Sequence, residues 1–596
     1  MRKRRIPTVL IAPGLCILVL GFFVPLILLF QLSWYQGAPG SGLVTKTLTT
    51  GNYTRLLGDV YYFKIFARTF RIALYATLLS FVLGYPMAIM LARSKGKAKT
   101  LLFAVVLTPL LTNVVARTLG LMLMLGRHGP INNLLALLGG FRVTLVPNVP
   151  GIVIGLTQVF MPYFVLSVSS VLQNIDDSLV EAARSLGSSR FRAFWKVVFP
   201  LSLPGVVAGS LFVFLLSFSA FVTPRILGGG KIMVMTTLIY QQAMSILDWP
   251  FTAAIGLVLL LISLVLVTMY THALSGTERR KVAPQGHRRC ACWSRAIRLT
   301  QDWYYDRTAR VGQLLGSLIR RWERMRLSLH SLGLIARIGG WTLKSLIIAF
   351  ILAPLPIVII CSFSGSSLIT FPPRGGLSMQ WYAGILNRPE YIRSFLLSLQ
   401  IALMCVVIGV STGTLAALGL VRYRFPGKEV VRSLFLSPLM VPAVIVGIAL
   451  LRFLAMIGWS ATFGGVLLGH MVLVSAYVTR TVSASLVGFD RSLEEAAHNL
   501  GAGAIYTFWR VTLPLIKPGL IVGAVFAFLV SFDETTVSVF TTGPGAITLP
   551  VRLFSQLEYG VDPTITAISG LMIVLAVLVL LLIDRVLGLE KFSGMG

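Results

Sequence analysis

Two adjacent carboxylates, Asp533 and Glu534, close an apolar run in a chain whose apolar runs are nearly devoid of acids. An ionisable side chain there is unfavourable by at least ~2.5 kcal/mol in a bilayer, so it marks function by default. A carboxylate attracts an ammonium group and accepts its hydrogen bonds. The pair could therefore form one wall of a cation pathway, since the first-half counterparts are Ser219 and Ala220. Glu558 follows in the next outer segment and could add charge. Tyr240 and Phe221 could offer aromatic faces to a cation, although lone aromatics more often pack. The alternative is that Asp533 ends a helix and pairs with Arg225 or Arg552, or faces the periplasm. Catalytic patterns are missing. The six histidines form no Ser/His/Asp or metal cluster, and Cys290-x-Cys292 has no matching Cys/His pair. Neither GKAKT at 96–100 nor GKEV at 427–430 has phosphate-loop spacing. The chain is expected to be no enzyme and to bind no metal or cofactor itself.

A second constellation occurs twice. Residues 181–205 read EAARSLGSSRFRAFWKVVFPLSLPG, and residues 495–519 read EAAHNLGAGAIYTFWRVTLPLIKPG. Glu181, Gly187, Phe194, Trp195, Pro200, Pro204 and Gly205 recur 314 positions later. Ser178-x-x-Glu181 and Ser492-x-x-Glu495 read as capping boxes that start a helix. Gly187 and Gly501 read as its end, because glycine accepts the left-handed conformation there. A second short amphipathic stretch carries the Phe-Trp pair, and Pro200 and Pro514 lead into the next span. The spacing predicts two short helices lying across the membrane normal near 178–200, and again near 492–514. A polar island repeated between apolar segments is a contact surface for a partner.

These residues must be positioned by a membrane bundle. The chain of 596 residues is 56% hydrophobic and 12% charged, with a mean hydropathy of +0.85. Soluble domains carry about 25% charged residues. Apolar runs of about 20 residues span a bilayer, and they fall near 9–32, 68–92, 101–125, 149–173, 203–222 and 251–274. The second half places them near 342–363, 394–420, 432–456, 463–484, 517–536 and 564–587. Lys and Arg cluster at alternate loops, which puts both termini and both polar islands in the cytoplasm. The opening MRKRR and apolar run read as a first span rather than a secretion signal, since the apolar stretch is too long. Each half has an even number of spans, so the repeat is parallel. Further echoes support it: Arg68-x-Phe70 and Gly84 recur at Arg393-x-Phe395 and Gly409, 325 positions on. Pro109 recurs as Pro438, and Ser217-Phe218 as Ser531-Phe532. The expected division is 1–275, a basic linker 276–338, and 339–596. The linker holds 14 Lys/Arg against four acids, and 311–327 could lie on the anionic membrane surface or serve only as a tether. The net charge of +32 sits mostly in loops, so it does not point to nucleic acid.

The pattern EAA, three residues, Gly, then a long gap and Leu-Pro resembles the coupling-helix motif of ABC importer permeases. The resemblance covers nearly the whole chain. It implies an all-α permease of about 12 transmembrane helices in two six-helix repeats of the type I importer fold. It also implies that Glu181, Ala182, Ala183 and Gly187 dock one ATPase subunit, and Glu495, Ala496, Ala497 and Gly501 another. Two ATPase copies would supply ATP and Mg chemistry, a periplasmic solute-binding protein would deliver substrate, and one fused chain would supply the whole permease in the bacterial inner membrane. LGYPMA at 83–88, SFSAFVTPRILGG at 217–229, RYRFPGK at 422–428 and TGPGAITLPVRLFSQLEYGVDP at 542–563 resemble spermidine/putrescine permeases. Ferric-iron, thiamine and aminophosphonate importers are the alternatives within the family. A 12-span ion-driven carrier is the alternative outside it, and the doubled island argues against that reading, because such a carrier has no use for it.

Overall fold

The computed structural model describes residues 2–38, 40, 42–278, 332–560 and 562–587. Most of the linker expected at 276–338, with its 311–327 segment, lies outside them. Among the described residues, nine continuous helices are long and apolar enough to cross a membrane. Three bent pairs bring the number to as many as twelve. In lipid every backbone polar group must find a partner inside the protein, which is why the apolar runs become helices.

Three of the expected spans, near 101–125, 342–363 and 432–456, are each built from two helices joined at a bend. Gly96–Leu111 meets Val114–Gly139 at 101°, Lys428–Leu439 meets Ala443–Met456 at 96°, and Trp341–Leu352 meets Pro354–Ser362 at 52°. Proline lacks an N–H and clashes with the carbonyl four residues back. Pro109 and Pro438 precede the first two breaks, and Pro354 opens the segment after the third.

The repeat is visible in helix lengths. Val60–Arg93 and Pro389–Arg422 both hold 34 residues, and their ends differ by 329 (389 against 60, 422 against 93). Val149–Gln173 and Phe463–Val487 both hold 25 residues and differ by 314. The echo at 325 is therefore four residues out of register. Residues i and i+4 share a helix face, so a one-turn slip preserves the apolar pattern and misleads a sequence comparison. Gly84 corresponds to Gly413, not Gly409. A Cβ on Gly84 would come within 2.8 Å of Phe164, and one on Gly413 within 2.7 Å of Val478, the residues 314 apart on the paired helices. The first half takes up the difference between 329 and 314 with the extra helix Pro130–Gly139.

The opening helix of each half packs on the other half. Leu18 is buried against Ala416, Leu420 and Phe435. Ile347 and Ile351 are buried with Tyr85, Met161 and Phe164, and Gln158 Nε2 donates to the Ile351 carbonyl at 2.9 Å. Between the halves, Phe218, Phe221 and Tyr240 share one buried cluster with Phe532, Phe540 and Phe554. Stacked pairs repeat within it: Phe214–Phe218 at 6.0 Å and Phe528–Phe532 at 5.4 Å. Exposed Leu74, Leu78 and Val82 on one long helix, and Leu403 and Val407 on its copy, form an outward apolar face suited to lipid.

Candidate functional site

The repeated islands fold into the helices Asp177–Ser185 and Ser492–Asn499. Their N-termini differ from the expected capping boxes. Asp176 Oδ1 accepts from the Ser178 N–H, and Asp490 Oδ1 accepts from the Ser492 N–H, both at 2.9 Å. The aspartate thus takes the N–H that the glutamate of a capping box would accept, and places a charged acceptor at the positive end of the helix. Those hydrogen bonds hold the Asp176 and Asp490 carboxyls below their ordinary range.

The C-termini follow expectation. Gly187 and Gly501 have φ of +84° and +87°. Ser188 N–H donates to the Ala183 carbonyl and Gly187 N–H to the Arg184 carbonyl; Ala502 to Ala497 and Gly501 to His498 repeat the pattern. This paired closure satisfies the last carbonyls of each helix. The second amphipathic stretch is not a separate helix. Arg190–Ser219 and Ala504–Asp533 each run continuously for 30 residues. Widened π-type turns at Phe194–Val198 and Phe508–Thr512 precede Pro200 and Pro514. They accommodate prolines that would otherwise break the helix.

Glu181, Ala182, Gly187, Glu495, Ala496 and Gly501 are exposed, and Ala183 and Ala497 are half-buried. Two residues missed in the sequence stand beside them. Leu186 is 88% exposed and its repeat Leu500 is 89% exposed. A leucine so bare, twice, at one position of a repeated polar surface is the kind of anchor an interface buries. Its signal was present, since both residues precede the capping glycine.

The second candidate lies between the halves. Asp533 ends its spanning helix and accepts hydrogen bonds at Oδ1 from Asn113 Nδ2 and, at 3.1 Å, from the Val114 N–H. Asn113 itself caps the Val114–Leu125 helix, its Oδ1 accepting from Val115 and Ala116 at 2.9 and 3.1 Å. A second-half carboxylate thus sits at the N-terminus created by the first-half break, where the helix dipole favours an anion. Neither arginine considered earlier pairs with Asp533: Arg225 binds Glu558, and Arg552 Nε donates to Ser394 Oγ at 2.7 Å. Arg117 lies one turn along the Val114–Leu125 helix and is 5% exposed. Arg117 donates to the Pro109 carbonyl, while its Nε has no hydrogen-bond partner among the described residues. It was legible as an arginine inside an apolar run, by the criterion that singled out Asp533.

Glu534 turns to its own loop, accepting from the Val537 N–H at 2.7 Å. Glu558 is neutralised by Arg225 of the first half, with both side chains mostly buried. Tyr240 OH approaches Glu558 at 3.5 Å, and the Arg225 guanidinium lies 5.3 Å from the Tyr240 ring centre. Phe221 packs on Tyr240 and Phe554 at 5.1 and 5.5 Å. The aromatic faces are thus occupied by one another and by Arg225. Beside Asp533, a cavity of about 20 Å³ is lined by Leu111, Asn113, Phe528, Phe532 and Met572. That is room for a water molecule and no solute. Among the described residues no group of His, Cys, Asp and Glu could hold a metal ion.

The family profile of the binding-protein-dependent transport system inner membrane component matches residues 84–277 and again 406–588. The chain belongs to this family. It is a tandem-fused ABC permease, and the ion-driven carrier is set aside. The permease is 34% identical over 260 residues to the spermidine/putrescine transport system permease protein PotB of Escherichia coli, covering 43% of this chain and 93% of PotB. It is 38% identical over 242 residues to the putrescine transport system permease protein PotI of Escherichia coli, covering 39% of this chain and 85% of PotI. Among solved structures, a bacterial ABC transporter involved in the import of the acidic polysaccharide alginate aligns at 18% identity with a TM-score of 0.34, over 44% of this chain and 91% of its own.

Proposed function

We propose that this permease forms the whole transmembrane path of an ATP-driven importer for a polyamine, spermidine or putrescine, in the bacterial inner membrane. The two relatives named for polyamine transport support the substrate class, and the observation that carries it is the Asp533 carboxylate at the junction of the halves. Both polar islands and both termini face the cytoplasm. Two copies of an ATPase subunit dock on Glu181–Gly187 and Glu495–Gly501, burying Leu186 and Leu500. A periplasmic binding protein delivers substrate to the opposite face.

Transport proceeds by alternating access. ATP binding draws the docking helices together and parts the halves on the outer side, and hydrolysis reverses this. In the closed arrangement Asp533 Oδ1 is occupied by Asn113 and Val114. A passing ammonium competes for the same carboxylate, exchanging neutral donors for a charged one. The cavity beside Asp533 must widen for this, which requires the halves to separate.

The test is ATP hydrolysis and uptake by the reconstituted transporter with its binding protein, across putrescine, spermidine, ferric iron, thiamine and an aminophosphonate. Stimulation by a polyamine alone supports the reading. Stimulation by ferric iron, thiamine or the aminophosphonate, with the polyamines silent, rejects the substrate and keeps the importer.

A further inference from the structure

Glu494 stands immediately before the repeated motif and is not part of it. Its carboxylate is divided between two spanning helices. Oε1 accepts from Thr512 Oγ1 at 2.6 Å. Oε2 lies 2.9 Å from Arg422 Nε in an ion pair that lacks hydrogen-bond geometry, with side chains only 14% and 13% exposed. Thr512 belongs to the widened turn at the base of Ala504–Asp533, and Arg422 is the last residue of Pro389–Arg422. The Arg422 guanidinium also lies 4.4 Å from the ring centre of Phe489, just before the docking helix. The docking helix, the helix that ends at Asp533, and the long second-half helix therefore meet at one side chain.

The first half lacks this junction. At the positions 314 earlier, Glu494, Thr512 and Phe489 are replaced by Val180, Val198 and Ile175. Arg93, the counterpart of Arg422, is exposed. Valines supply packing without directional bonds, so Val180 and Val198 cannot reproduce the hydrogen bond and ion pair of Glu494. A mostly buried junction of one charge-assisted hydrogen bond, from Thr512, and one ion pair, with Arg422, resists displacement more than an apolar contact that can slide.

We propose that Glu494 is a positioning residue for energy coupling: it fixes the second docking helix to the spanning helices, so that ATPase movement reaches Asp533 mainly through the second half. This inference rests on the reading that the repeated helices dock the ATPase.

The test uses the full chain in lipid nanodiscs, assembled with its cognate ATPase subunit, and needs no substrate. Three quantities are read: ATPase co-purification, ATP hydrolysis, and the change in amide exchange at residues 531–536 on adding ATP with vanadate. Glu494→Gln is expected to leave co-purification and hydrolysis in place, to raise exchange across 492–499 about tenfold, and to abolish the ATP-dependent change at 531–536. Thr512→Val removes one of the two anchors and is expected to show a smaller loss in the same direction. It also serves if the first variant does not insert. A wild-type ATP response at 531–536 in both variants overturns the proposal. Failure of the wild-type chain to retain the ATPase overturns the docking reading instead.

Discussion

Asp533 and Asn113 are hydrogen-bonded to each other across 420 residues of chain. The contact joins the end of a second-half span to the broken span of the first half. Its mirror image does not exist. Ser219, at the place of Asp533, donates to its own helix at the Leu215 carbonyl, and Pro442, at the place of Asn113, has no amide side chain. The duplicated permease is thus polar on one wall of its junction and neutral on the other.

Asp533→Asn keeps the shape of the side chain and removes its charge. A hydrogen bond to a charged group contributes about 1.5–3 kcal/mol, so spermidine uptake is expected to fall by roughly ten- to hundredfold with membrane insertion unchanged. Uptake equal to wild type would remove Asp533 from the pathway.

Gly501 adopts φ of +87° with open space where a Cβ would stand. Backbone strain of about 1–2 kcal/mol is therefore the main effect of a small side chain there. Gly501→Asp is expected to disrupt the end of the docking helix, and Glu181→Arg to reverse the charge of the other. Both should lose uptake and ATPase co-purification while still inserting in the membrane. Normal transport by both mutants would sink the docking assignment.

Leu186 and Leu500 contribute little to the folded chain, because neither is buried in it. Leu500→Asp should leave thermal unfolding of the isolated permease within about 0.5 kcal/mol of wild type. The same variant should weaken ATPase binding at least tenfold, the scale of a buried interface anchor. Affinity measured by titrating the ATPase against nanodisc-bound permease decides the point.

Asp490 accepts the Ser492 N–H, and its carboxyl is held below the ordinary range by that bond and by the Ser492 hydroxyl. A depressed folded-state pKa means the cap stabilises the helix above the unfolded value of about 3.9 and is lost as pH falls through the lower folded value. The Ser492 amide proton resonance should therefore titrate with a midpoint below that of a free aspartate. In Asp490→Asn the titration should vanish. A midpoint at or above the ordinary aspartate value would contradict the cap.

Arg225 and Glu558 form a mostly buried pair between the halves. Removing one member leaves an unpaired charge, so Glu558→Ala should destabilise by about 3–5 kcal/mol. Replacing both with apolar residues, Arg225→Met with Glu558→Leu, should recover most of that loss. Thermal unfolding in detergent reads both, and equal destabilisation by the single and double variants would show that the pair contributes through shape alone.

Much of the fold was legible because its causes are local. A run such as Val149–Gln173 must become a helix in lipid, since it can satisfy its backbone only within itself. Gly187 and Gly501 ended their helices as read, because the left-handed closure depends on one residue. The capping boxes were misread because Asp176 and Asp490 accept the Ser178 and Ser492 N–H groups that Glu181 and Glu495 would have reached back to. Apolar content located the spans at 101–125 and 432–456 but is blind to direction, so it left out their bends, although Pro109 and Pro438 stand beside each break.

The amino-acid sequence alone determined the membrane class, the doubled permease unit, the paired short helices of the repeated island and the acidic pair Asp533-Glu534 at the end of a span. Each follows from composition, from repetition, or from bonds closed within a few residues. Only the tertiary structure decided that each opening helix crosses to the other half, that Gly84 answers Gly413, and that Asn113 and Glu494 take part at all. Those outcomes depend on which helix faces meet after hundreds of intervening residues. An apolar face repeats every turn and so matches many partners equally well; close packing in three dimensions selects one.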